Sequence, residues 1–266
     1  MKIITLIENI VYQQGLYAEH GLSIYIESEN QKILFDTGQS DLFLSNAKKI
    51  GIEIEEVDTL VLSHGHNDHT GGLYPFLKIN SKARVLAKRD VFAPKYKTNN
   101  RFIGTLPPGG LLRERIHYVD SMMEIATNVF LVPEILVKDP NDTHFRGLYK
   151  EENHQLIQDD FTDELFLALK SGNRINIITA CSHRGITNIC HTATDLFKLP
   201  VGLILGGFHL KNSSQGQFDQ TMEYFKQLNP QSIGVCHCTG VERYAEMSGQ
   251  CNAHLFYNYT GHEINL

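Results

Sequence analysis

The apolar run Val57–Leu62 passes without a break into Ser63-His64-Gly65-His66-Asn67-Asp68-His69-Thr70-Gly71-Gly72. A buried-type strand that ends in three imidazoles and a carboxylate constrains the fold strongly, because the segment must close over something that uses them. His64 and His66 alternate at the strand's end, so their side chains can point the same way. Asp68 and His69 follow on the turn into a helix. Two imidazoles can hold one cation, while the carboxylate and the third imidazole face a second one. Imidazole plus carboxylate is the ligand set for zinc, iron or manganese. The glycines permit the tight turns between them. An exposed polar turn is the bland alternative, and three histidines with an aspartate in this spacing argue against it.

The chain around this segment reads as mixed α/β. Lys2–Glu8, Leu22–Glu27 and Lys32–Asp36 are β-branched or aromatic runs, the last two separated by a polar turn at Ser28–Gln31. Ser40 is a candidate N-cap for a helix carried by Phe43, Ala47 and Ile50 and ended by Gly51. A short helix after Gly71-Gly72 and a strand at Ala83–Ala87 follow. From about residue 91 to 158 loop signals dominate, among them Asn99-Asn100, Pro107-Pro108-Gly109-Gly110 and Asp139-Pro140-Asn141-Asp142. Asn128–Val132 is the convincing strand there, and the region reads as an insertion over the active face. The last third alternates: strands Glu164–Leu169 and Asn173–Ala180, a helix stripe Ile186, Ile189, Cys190, Ala193 and Phe197, and strand Val201–Leu205. A second stripe of Phe218, Met222, Phe225 and Leu228 precedes strand Ser232–Cys236, a helix from Val241 and a strand at His254–Tyr259. Meanders early and strand–helix alternation later predict a layered sandwich in one domain over 1–266.

Composition narrows the partners. The chain has 266 residues, 42% hydrophobic and 20% charged, as in soluble globular proteins that bury a sizeable core. A net charge of −6 gives no support for a broad nucleic-acid surface. No window approaches the ~20 apolar residues of a membrane span, and no secretory signal is evident. The five cysteines, Cys181, Cys190, Cys236, Cys238 and Cys251, have no framework spacing, so reduced thiols in a cytoplasmic protein are expected. Nothing in the sequence points to an oligomeric state.

The H-x-H-x-D-H pattern resembles the metallo-β-lactamase fold superfamily over nearly the whole chain. That resemblance implies a four-layer αββα sandwich with a binuclear metal site. Asp36 in Ile33-Leu34-Phe35-Asp36-Thr37-Gly38 matches the aspartate that ends an early strand in that family, either as active-site support or as a simple turn residue. A closer resemblance is to a subgroup that includes the archaeal dihydropterin synthase family of methanopterin biosynthesis. Its markers are Glu19-His20-Gly21-Leu22-Ser23, Phe35-Asp36-Thr37-Gly38-Gln39, Cys181-Ser182-His183-Arg184-Gly185-Ile186, Gly206-Gly207-Phe208-His209-Leu210 and His237-Cys238-Thr239-Gly240.

His183, His209 and His237 each follow an apolar strand, where α/β proteins place functional groups. The resemblance assigns His237 as the final histidine of the second metal and His183 as the histidine of the first. It also expects a bridging aspartate where Cys181 stands. The position is open to His183, to His209, to Cys181 as thiolate, or to a weak second site. His209 is either a ligand or an acid that contacts substrate. Strand alternation points Cys236 and Cys238 away from the His237 side chain, which favours core packing. His20 is as well explained by hydrogen bonding as by approach to the metal. His117, His144, His154, His191, His254 and His262 have no spacing argument. Lys95, Lys97, Arg101, Arg113 and Arg115 make the central region basic, which fits either phosphate contact or a solvated surface.

One or two divalent ions are therefore expected, zinc first, with iron or manganese as alternatives. A bound cation lowers the pKa of coordinated water from about 15.7 to about 7 and polarises a phosphoryl or carbonyl oxygen. Asp68 suits orienting or deprotonating that water, and His209 suits protonating a leaving group. The leading expectation is metal-dependent hydrolysis or transfer at a phosphate or pyrophosphate ester of a small molecule; the subgroup resemblance makes it a transferase. The alternatives are a di-iron redox protein, whose usual flavin domain has no counterpart here, and a non-catalytic metal-binding sensor.

Overall fold

Alternating apolar residues build a seven-stranded sheet from the first half of the chain. In the computed structural model, which describes residues 1–29, 31–107 and 109–266, this sheet runs in the order Glu263–Asn265, Lys2–Ile7, Ser23–Ser28, Gln31–Phe35, Thr59–Val61, Arg84–Ala87 and Ile116–Tyr118. Asn30 of the predicted polar turn and Pro108 of the predicted proline–glycine loop lie outside the described residues. Ile4, Leu6, Leu34, Leu60, Val85 and Ala87 form one face and pack with Phe43 and Ala47 of the helix Leu42–Ile50 and with Phe76 of the helix Leu73–Ile79. Ile3, Ile24, Ile26, Ile33, Phe35 and Val61, on the opposite face, are also buried, so the sheet is covered on both sides. The helix Leu42–Ile50 stops at Gly51, whose φ of 84° is the left-handed turn that glycine adopts without strain.

This sheet belongs to a compact unit of Met1–Asp120, Phe145–Glu164 and Tyr259–Leu266. The same unit holds a four-stranded sheet in the order Gln155–Gln158, Leu148–Glu152, Lys95–Lys97 and Arg101–Phe102. Much of the loop-rich region thus carries short strands. Their runs are too brief and too polar for periodicity to reveal.

A second compact unit comprises Ser121–His144 and Leu165–Asn258. Its seven-stranded sheet runs His254–Tyr257, Ser232–Val235, Val201–Gly206, Arg174–Ile178, Phe166–Ser171, Val129–Val132 and Met123–Ala126. The helix Ile186–Phe197 buries Ile186, Ile189, Cys190 and Ala193, and the helix Gln215–Leu228 buries Phe218, Met222 and Phe225; the last residue of each stripe read from the sequence, Phe197 and Leu228, is only half-buried.

The two sheets share one plan. Each has three antiparallel junctions followed by three parallel ones. In each, the chemistry-bearing residues follow the carboxyl ends of strands in the parallel half, where α/β sheets open a crevice. Asp36 follows Gln31–Phe35 and His64 follows Thr59–Val61. Cys181 and His183 follow Arg174–Ile178, His209 follows Val201–Gly206, and His237 follows Ser232–Val235.

Candidate metal centre

In the first unit the strand Thr59–Val61 delivers Ser63 and His64, and the one-turn helix Asn67–Thr70 carries Asp68 and His69. His64, His66 and His69 are all buried, at 0%, 6% and 0% exposure. The ring of His64 lies 4.3 Å from that of His69 and 4.8 Å from that of His66. Three imidazoles this close and this dry are tolerated only if they stay neutral. Burial, reinforced by His69 and His66, accordingly holds the His64 imidazole well below the ordinary histidine range.

Asp36 organises this cluster. It is fully buried, and its φ of 61° is a left-handed conformation that Asp and Asn tolerate better than other side chains. Its Oδ1 accepts the Ser63 N–H at 2.7 Å, and its Oδ2 accepts the Ser63 hydroxyl at 2.6 Å. The same Oδ2 lies 2.8 Å from His69 Nδ1, which therefore carries the proton and places the ring's lone pair on Nε2. Ser63 spends its hydroxyl proton on Asp36, so its oxygen accepts from His64 Nδ1 at 2.9 Å, which assigns the same tautomer to His64. Of the two readings open for Asp36, active-site support is the one its contacts favour.

Asp68 sits at the edge of the group, with 15% of its side chain exposed. His20 Nε2 is 3.2 Å from Asp68 Oδ2, while the His20 side chain is 62% exposed. Backbone packing leaves no room for side chains at the glycines of the motif. A Cβ at Gly65 would come 2.1 Å from the Val91 carbonyl oxygen, and one at Gly71 would come 2.2 Å from that of Gln39.

The second unit gathers its candidates from three strand ends. Cys181, His183 and His209 bring ligand atoms within 4.8 Å of one another, as do Cys181, His237 and Cys238. Ser182, His209 and His237 adopt φ of 57°, 53° and 51°, so each strand ends in an abrupt turn. The His209 ring lies against those of His183 and His144, with centroid separations of 4.5 and 4.9 Å and planes tilted by 48° and 44°. Its Nδ1 is buried and makes no hydrogen bond among the described residues. Side-chain hydroxyls tie the loops together: Ser182 Oγ donates to the Gly207 carbonyl at 2.8 Å, and Thr239 Oγ1 accepts the Phe208 N–H at 2.9 Å.

Several residues stand elsewhere than the sequence suggested. Cys238 joins the His237 group because His237–Thr239 is a single 3-10 turn, and side-chain alternation applies only to extended backbone. His144, which carried no spacing argument, lies against His209, and burial, with a smaller contribution from the neighbouring His209 ring, pushes its imidazole down to about 3. Lys95 is not available to a phosphate: it is fully buried between Asp159 and Asp163. Arg115 is similarly committed, donating to the backbone carbonyls of Asn80 and Ala83 at 2.7 to 3.0 Å. Lys97, Arg101 and Arg113 are exposed.

Residues 16–148 match the family described as "Metallo-beta-lactamase superfamily". The chain is 32% identical to 7,8-dihydropterin-6-methyl-4-(beta-D-ribofuranosyl)-aminobenzene-5'-phosphate synthase of Methanocaldococcus jannaschii, over 90% of this chain and 88% of that one. It is also 32% identical to an uncharacterized protein of the same organism, with 98% of each covered. Among solved structures, Tm1679, described as a metal-dependent hydrolase of the beta-lactamase superfamily, superposes with a TM-score of 0.88 at 30% identity, covering 100% of this chain and 99% of that one.

Proposed function

We propose that this chain, which belongs to the metallo-beta-lactamase superfamily and has the mixed α/β fold of that family, is a metal-dependent enzyme acting on a phosphate or pyrophosphate ester of a small molecule. The observation that carries the reading is the pair of tautomer locks, Asp36 on His69 and Ser63 on His64. They assign the protons to Nδ1 and so present Nε2 of two buried imidazoles as donors to a cation. Such a donor set fits a divalent cation and suits no hydrophobic core.

His64, His66, Asp68 and His69, with His183 and His237, are the proposed ligands of one or two ions. Zinc is the first choice, with iron or manganese as alternatives. A bound divalent cation would supply Lewis acidity and an acidified water. Asp68 is the residue able to take or orient a proton, since its carboxylate is partly exposed and already faces the His20 ring. His209 is proposed as the group that protonates a leaving oxygen or ligates, and its buried Nδ1 supports a role toward a bound group. Cys181, whose sulfur lies within 4.8 Å of ligand atoms of His183 and His209, is the proposed replacement for a bridging carboxylate.

The relative is named a synthase, which favours group transfer, and the description of Tm1679 favours hydrolysis. An assay with bis-p-nitrophenyl phosphate, and with a pterin pyrophosphate in the presence and absence of an aromatic amine acceptor, on chelated and zinc-restored protein, separates them. Turnover of either substrate restored by metal is the expected result. Full turnover by metal-free protein would defeat the proposal.

A further inference from the structure

A buried charged cluster stands directly behind the histidine turn. Lys95 is fully buried, and its Nζ lies 2.6 Å from Asp159 Oδ2 and 3.0 Å from Asp163 Oδ1. Both aspartates are 1% exposed. Asp163 spends its other oxygen on the Gly65 N–H, at 2.8 Å. Gly65 stands between His64 and His66, so this bond fixes the His64–Gly65 peptide that links the two ring-bearing residues. Asp159 spends its other oxygen on the Phe161 N–H, at 2.9 Å, holding Phe161 in a left-handed conformation with φ of 51°. The Phe161 ring meets the His66 ring edge to face at 5.2 Å and lies 6.1 Å from His64. The next residue of the turn is held from the same side, since the Asn67 N–H donates to the Ile103 carbonyl and the Ile103 N–H donates to that of Lys95.

Burying three charges is a poor route to stability, because desolvation consumes most of the Coulombic gain and an apolar core of equal volume does as well. Strong directional bonds do what apolar packing does not: they set the position of a backbone and a ring to within a few tenths of an ångström. Lys95 uses its ammonium to lock two carboxylates. Each carboxylate then passes the constraint to one part of the ligand turn, Asp163 to its peptide and Asp159, through Phe161, to its ring.

We infer that Lys95, Asp159, Asp163 and Phe161 form a positioning apparatus for His64 and His66, presetting the two imidazoles for metal before it binds. The inference rests on the ligand role proposed for these histidines. The apparatus also explains why Gly65 admits no side chain: besides the Val91 carbonyl, the Lys95 Cε would lie 2.7 Å from a Cβ there.

Asp163→Ala tests it most cleanly, because Lys95 and Asp159 remain as a balanced pair while the Gly65 N–H loses its acceptor. Zinc affinity is measured by competition with a chromophoric chelator, beside thermal unfolding of the metal-free protein and the visible spectrum of the cobalt-loaded form. The expected result is a ten- to hundredfold loss of affinity, the range for outer-shell partners of metal ligands, with an altered cobalt spectrum. Asp163→Asn keeps an acceptor for the Gly65 N–H but turns an NH2 group toward the Lys95 ammonium, so it should recover part of the loss. Wild-type affinity and an unchanged cobalt spectrum in Asp163→Ala would overturn the inference. If that variant does not fold, Phe161→Leu carries the test, with a several-fold loss expected and wild-type affinity overturning it. His66→Ala in the same titration keeps the two readings apart. If wild-type protein binds no zinc, the ligand assignment itself fails; if it binds and only His66→Ala loses affinity, the positioning role fails alone.

Discussion

The two units place their chemistry in the same architectural position and build it in opposite ways. The first draws His64, His66, Asp68 and His69 from one six-residue turn and braces that turn with carboxylates, Asp36 on one side and Asp163 on the other. The second draws Cys181, His183, His209 and His237 from three strand ends. It braces them through bonds between small uncharged side chains and backbone groups, such as Ser182 Oγ to the Gly207 carbonyl, and through the His144 carbonyl 3.4 Å from His183 Nδ1. A contiguous turn needs rigid side-chain partners because its own backbone is short of regular hydrogen bonds. Residues at strand ends inherit their position from the sheet. The first arrangement concentrates sensitivity in a few acceptors, and the second spreads it over the fold.

That contrast breaks if Asp36 proves dispensable. Asp36→Asn keeps the residue's tolerance of positive φ but turns one of two acceptor oxygens into a donor. It thereby faces His69 Nδ1 or the Ser63 donors with an unsatisfiable contact. A ten- to hundredfold loss of metal affinity is expected in a competition titration. His144→Ala in the second unit leaves the backbone carbonyl in place, and a loss of less than about threefold is expected if backbone rather than side chain does the bracing. Equal losses in the two variants would erase the distinction.

A smaller effect sharpens the account of the second unit. Asp142 is buried, and burial raises its carboxyl from 3.8 to about 6, against the opposing hydrogen bonds from the Thr187 N–H and hydroxyl. Between pH 4 and 6 the folded protein then holds this proton more tightly than the unfolded chain. Its contribution to stability is present below pH 4 and is lost as pH rises through about 6, by at most about 3 kcal/mol. Asp142→Asn keeps an acceptor for Thr187 and removes the titration. Subtracting urea-unfolding curves of variant and wild type from pH 4 to 7 should reveal that slope. A flat difference would show that Asp142 ionises normally.

Much of this was legible in the residues themselves, for reasons the comparison makes clear. The turn from His64 to His69 is readable because its proposed ligands are neighbours in sequence, and a strand reading of Val57–Leu62 suffices to aim them. The helix stripes at Ile186 and Phe218 are readable because apolar side chains recur at helical spacing. His183, His209 and His237 were reachable only through the rule that functional groups follow strand ends. Three features escaped. The turn of Cys238 toward His237 depends on a 3-10 turn that no periodicity announces. Lys95 looked like a surface cation because its partners, Asp159 and Asp163, lie more than sixty residues away. The strand Glu263–Asn265 is three residues long and pairs with the chain's first strand, a contact set by topology alone.

The central claim is that the histidines proposed in each unit are metal ligands, and metal content tests it most directly. His66→Ala and His237→Ala should each be compared with wild type by elemental analysis of protein loaded with zinc and then desalted. Both variants losing at least one equivalent of zinc, while remaining folded, is the predicted result. Wild-type stoichiometry in both would contradict the account.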